Sequence, residues 1–253
     1  MARASAVLVA LGLASAPALG GVQVIDFTTE DDGVTALVNG QEVGDLTGGV
    51  YEEFGNLFNL THISGGAGLS IFDTSFTGPN IGGGDPDLIV GLGNILIIQE
   101  NNNGLGTQTV DDIFDTANDD AGGGVYRFDF FTAVEMLEVT LVDVNGGNDI
   151  DVTLIDSQGL TRVYSVPAMW TNDISVSGPL GYGVLDLTSL APQSSEGGNF
   201  TNVSQDLGFN SLDVVAVEFQ FFGSGGIDNL TFIPTPGVAT VLGLGLLASR
   251  RRR

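Results

Sequence analysis

IDVTLID, Ile150 to Asp156, is the stretch from which the fold is read. Ile150, Val152 and Leu154 point one way and Asp151 and Thr153 the other, the period-two alternation of a half-buried strand. VVAVEFQFF, Val214 to Phe222, repeats the pattern, with Val215, Val217, Phe219 and Phe221 expected on one face. The same texture recurs in VQVIDF, VTALVN, LSIF, NILIIQ, VYRFDFF, LEVTLVDV, TRVYSV, GVLDL and IDNLTFI. β-Branched and aromatic residues dominate these runs, and glycine, asparagine and aspartate separate them. No segment sustains a helical period over three turns with caps. The pattern predicts an all-β fold, a single jelly-roll-like β-sandwich of roughly ten strands.

The chain has 253 residues with 38 glycines and no cysteine. Disulfides, thiolate metal sites and cysteine nucleophiles are thereby excluded. It carries no lysine, and five of its seven arginines, Arg3 and Arg250 to Arg253, lie in the terminal segments. Between them stand 31 Asp and Glu against Arg127 and Arg162 alone, a formal charge of −29. Phosphate-backbone binding needs clustered cations, so nucleic acid is not an expected partner. Solubility alone explains much of this charge, and divalent cations are its other plausible complement.

The ends read as addresses. MARASAVLVALGLASAPALGG opens with Arg3, continues with an apolar stretch to about Ala14 and ends in small residues. That is the layout of a secretory signal peptide over residues 1–20, cut between Gly20 and Gly21, with a cut after Ala18 as the alternative. Export through the Sec machinery and signal peptidase follows. At the other end, IPTPGVATVLGLGLLASRRRR runs from Ile233 to Arg253. Its apolar part predicts a short hydrophobic helix, below the usual spanning length. The arginines after it halt transfer, and their stems snorkel to the interface.

This tail resembles the PEP-CTERM sorting signal of Gram-negative bacteria. A proline pair, a short glycine- and leucine-rich run and an arginine cluster follow one another in that family's order. The resemblance implies recognition and cleavage by an exosortase, a membrane-embedded cysteine transpeptidase, with residues 233–253 as a transient membrane anchor. The corresponding residues are Pro234, Thr235, Pro236 and Arg250, Arg251, Arg252 and Arg253. Thr235 stands where the family has glutamate, making this a Pro-Thr-Pro variant. Within residues 21–232, FDTS at Phe72 to Ser75, GGGDPDL at Gly82 to Leu88, NILIIQE at Asn94 to Glu100 and GSGGIDNLTF at Gly223 to Phe232 look like motifs of exported PEP-CTERM proteins. Their ectodomains are similar to carbohydrate-binding-module or galactose-binding-like sandwiches.

Candidate chemistry is sparse. Asp85 and Asp87 flank Pro86 in a glycine-rich loop, with Asp73 twelve residues before Asp85. Carboxylates on an irregular loop suit calcium, which takes six to eight oxygens, although Asp-Pro and glycine clusters also simply make turns. DVNGGNDID, Asp143 to Asp151, departs from an EF-hand loop at its sixth and twelfth positions and reads as a hairpin turn. DDIFDTANDDAGG reads as a solvated acidic loop. His62, the single histidine, reads as a surface residue beside a strand, with no nucleophile elbow or metalloprotease helix around it. Trp170 with Tyr164 and Met169 nearby could stack on a sugar, but core packing is the commoner use. The expected function is that of an exported, non-catalytic cell-surface or extracellular-matrix protein. A module engaging exopolysaccharide is the alternative, and a glycoside-active enzyme the third reading.

Overall fold

The computed structural model describes residues 20–30, 33–44, 57–83, 85–102, 104–110, 112–145, 147, 149–171 and 181–235. The expected signal peptide up to residue 19, Pro236, the apolar tail and Arg250 to Arg253 lie outside them. Among the described residues no helix is long and apolar enough to cross a membrane.

The chain is all-β. Among the described residues there are eleven strands: β1 (Gln23–Ile25), β2 (Phe58–Ser64), β3 (Gly68–Asp73), β4 (Asn94–Gln99), β5 (Gly124–Val142), β6 (Ile150–Asp156), β7 (Thr161–Val166), β8 (Tyr182–Asp186), β9 (Asn202–Gln205), β10 (Val214–Phe221) and β11 (Gly226–Pro234). Among the described residues, helix is confined to one 3₁₀ turn, Pro86–Leu88. All pairings are antiparallel, and the hydrogen-bonded order is β3-β4-β11-β5-β10-β6-β7-β9, with β1 on β11 and both β2 and β8 on β5.

β5 organises this sheet. The two runs VYRFDFF and LEVTLVDV, separate in the sequence reading, form one strand of 19 residues. Its first part, Val125 to Phe130, lies between β2 and β10. Its last part, Glu138 to Val142, lies between β11 and β8. Register shifts against β11 around Thr231 change the buried phase of β5 from Met136 to Val139. A bulge inserts an unpaired residue and turns the following side chains to the opposite face.

β6 shows the expected alternation, with Ile150, Val152 and Leu154 buried. β10 needs a correction at one end. A register shift between Val214 and Ala216 buries Val214 instead of Val215, while Val217, Phe219 and Phe221 stay inward as read. VTALVN contributes only an isolated bridge, Thr29 to Ala36.

Two apolar clusters hold the sheet. In the larger, seven aromatic rings form a connected series across β2, β5, β10 and β11. Phe128 sits 5.4 Å from Phe58 and 6.1 Å from Phe219, and Phe130 sits 5.0 Å from Phe232. The smaller cluster involves the opposite face of β4. Leu96 and Ile98 enter the large core, while Ile95 and Ile97 meet Leu88 and Val90 from the loop around the 3₁₀ turn. β4 is therefore apolar on both faces, as an inner strand must be when both faces are covered.

Candidate functional site

The sheet register builds a polar row from residues distant in sequence. Gln220 on β10 pairs with Asp151 on β6, Asp151 with Ser165 on β7, and Ser165 with Asn202 on β9. Directly paired residues share a face. Because Ile150 and Val152 point into the core, Asp151 and its row point out. With strands about 4.8 Å apart, the three side chains from β6 to β9 span about 10 Å.

An open cleft of about 370 Å³ lies at the end of this row, lined by Asp149, Asp151, Ser165, Val166, Pro167, Phe200, Asn202 and Phe222. Phe222 and Phe200 stay 52% and 65% exposed beside it. Phe222 follows β10, and its amide donates to the Asp149 carbonyl at 3.0 Å. The Asp149 carboxylate accepts the Ala168 N–H, and Asn199 Nδ2 donates to the Ala168 carbonyl at 2.7 Å. The cleft floor is thus tied to its rim. Exposed aromatic rings flanking carboxylate, hydroxyl and amide groups can stack on the apolar face of a sugar while bonding its hydroxyls.

The residues singled out from the sequence fall elsewhere. Asp73 ends β3, and its Oδ1 accepts the Ser75 N–H at 2.9 Å and the Ser75 hydroxyl at 2.5 Å. That is a turn role, shared by Asp26 with Thr28 and Asp186 with Thr188. Asp85 immediately precedes the 3₁₀ turn without a capping side-chain hydrogen bond, and Asp87 lies within it. Asp85 Oδ2 accepts the Asp119 N–H at 3.2 Å. Burial, with the charges of Asp87 and Glu100 adding to it, raises the pKa of Asp85. The four motifs of the ectodomain resemblance come together, since they supply β3, the 3₁₀ turn, β4 and β11, and these strands are neighbours in the order β3-β4-β11.

Gly20 packs beside Pro234, where an added Cβ would lie 2.8 Å from Pro234 Cδ. Gly21 has open space around its Cα. Pro234 ends β11 opposite Val134, and the Thr235 amide and hydroxyl both donate to the Ala133 carbonyl at 2.9 Å. The two expected processing points therefore emerge side by side.

Two readings, of His62 and of Asp119, are corrected. His62 is a buried inward-facing residue paired with Tyr126 on β5, and burial pulls its pKa below the usual imidazole value. Trp170 is fully buried, its Nε1 donating to the Gln193 carbonyl at 3.3 Å, which agrees with the packing role favoured from the sequence over sugar stacking. Asp119, inside the acidic run read as solvated, is 3% exposed. The cleft aromatics escaped sequence reading because only the β10-β6-β7-β9 register brings Phe200 and Phe222 to one place. Compared with known proteins, the chain matches no protein-family model and no curated protein sequence.

Proposed function

We propose that this chain is an exported, non-catalytic cell-surface or matrix protein that engages exopolysaccharide through the Phe200–Phe222 cleft. The observation that carries the reading is the outward polar row ending between two exposed aromatic rings. The eleven-stranded sheet closes, in this reading, as a jelly-roll-like sandwich. Support comes from the change of neighbours along β5, which is how a strand passes from one packed sheet to the next. A domain of such negative charge repels polyanions, so the preferred glycan is neutral.

Each exposed ring is expected to contribute about 1 kcal/mol of stacking. Phe200→Ala and Phe222→Ala should each weaken binding of a neutral polysaccharide roughly fivefold, and the double variant more than tenfold. Affinity electrophoresis against a set of neutral and anionic bacterial glycans reads this. Binding that survives the double variant would reject the cleft, and hydrolysis of the bound glycan would favour the enzyme reading.

The sorting proposal rests on the tail's resemblance and is supported by the placement of Pro234 and Thr235 at the end of β11. The mature protein should lack Arg250 to Arg253, and Pro234→Ala with Pro236→Ala should leave it membrane-retained. Intact mass of cell-surface material decides this, and a full C-terminus recovered there would reject exosortase processing.

A further inference from the structure

The least explained chemistry lies where the 3₁₀ loop, the segment before β5 and the β10–β11 turn meet. Asp119 reaches across 106 residues to accept the Gly225 N–H at 2.6 Å on Oδ2, which the Ser224 hydroxyl also bonds. Gly225 has φ +141, and an added Cβ would lie 2.9 Å from the Val142 carbonyl, so only glycine brings that amide to the carboxylate. The other oxygen, Asp119 Oδ1, is buried with no hydrogen-bond partner. Asp85 faces it, and the charge of buried Asp143 bears on it as well. No described cation answers this charge. Arg127 pairs with Asp129 at 3.0 Å, and Arg162 is committed to Gln205 and the Leu187 carbonyl.

Two facing carboxyl groups away from water cannot both stay ionised unless something positive lies between them. That occupant is a proton or a metal ion. We infer that Asp85 and Asp119 hold one calcium ion, which ties the 3₁₀ loop to the start of β5 and the β10–β11 turn. Among the described residues no three acidic or histidine side chains already converge as ligands. The ion therefore takes two carboxylates as its charged donors and fills its shell with neutral oxygens and water. A hard cation that tolerates irregular geometry and loop donors is calcium rather than magnesium. This set keeps Asp85 from the sequence reading and replaces Asp73, whose carboxylate is occupied by Ser75.

Isothermal titration of the mature chain with calcium chloride tests this. One ion per chain is expected at pH 7.5. At a hundredfold excess over the dissociation constant, calcium should raise the folding equilibrium constant about a hundredfold. Magnesium at matched ionic strength should do far less. Asp85→Asn and Asp119→Asn should abolish the response, and Asp73→Asn should retain it. Equal responses to both metals, or loss of binding in Asp73→Asn, would each overturn the assignment. Should Asp119→Asn fail to fold, Asp85→Asn and the comparison of calcium with magnesium on the unmutated chain still decide.

Discussion

Asp228→Asn is expected to make the protein more stable at pH 8, by up to about 4 kcal/mol, and to change little at pH 4. Asp228 lies on β11, and its carboxylate accepts the Asn229 N–H and the Asn229 side-chain amide, each at 2.7 Å. Those bonds favour the ionised form, yet burial outweighs them and the nearby Asp26 charge adds to it, raising the pKa to about 7. The folded state thus keeps a proton that the unfolded chain releases near pH 4. This stabilising contribution is complete below pH 4 and is lost as pH rises through 7. The interval from the usual 3.8 to about 7 corresponds to about 4 kcal/mol. An asparagine of the same shape removes the ionisation, and rotation of the Asn229 amide can restore a donor–acceptor pair, at a cost of about 1 kcal/mol. Urea unfolding of both proteins at pH 4.5 and pH 8 measures the difference. Asp85 and Asp119 shift in the same direction, so only the comparison between the two proteins isolates Asp228. Parallel stability profiles would mean that Asp228 ionises normally in the folded chain.

How much of this was legible depends on how local each cause is. The alternation of IDVTLID fixes both the face and the phase of β6, because side-chain direction along a strand follows from its own residues. β2, FNLTHIS, was not read as a strand although Phe58 and Leu60 alternate correctly. His62 hid the third inward position, and its burial depends on Tyr126, which reaches it only through pairing with β5. β9 is short and mostly exposed at the sheet edge, so it carries almost no hydrophobic signal. β5 was divided in two because Phe131 and Thr132 are exposed and the apolar phase changes beyond Met136, both consequences of changing neighbours. The site residues were harder still. Asp119 looks like its acidic neighbours in sequence, and its buried role is set by Ser224 and Gly225 more than a hundred positions away. A local pattern reports a face, whereas a site reports a register. The proposed export and sorting signals would be the converse case, since a protease or transpeptidase reads an extended stretch whose meaning is contained in its own order.

Phe128→Ala and Phe222→Ala form the pair that separates the fold from its cleft, and the first carries the largest expected loss of stability. Phe128 is fully buried on β5 and touches Phe58, Tyr126 and Phe219, with ring centroids at 5.4, 6.3 and 6.1 Å. Truncating such a ring removes its transfer free energy and leaves a cavity, about 3–5 kcal/mol together. Three aromatic contacts vanish with it, which places the variant at the upper end of that range. Collapse cannot relieve the cavity, because β2 and β10 hold the backbone on both sides of Phe128. Phe222 differs in the one respect that matters, for about half its surface already meets water. Its loss should change stability by about 0.5 kcal/mol or less, while glycan binding falls. Thermal unfolding and affinity electrophoresis on the same two preparations give the two readouts. Phe128→Ala should unfold many degrees lower, yet the fraction still folded should bind glycan as the parent does. If it loses binding while still folded, the core shapes the cleft directly, and the division between scaffold and binding face drawn from the β6-β7-β9 register is wrong.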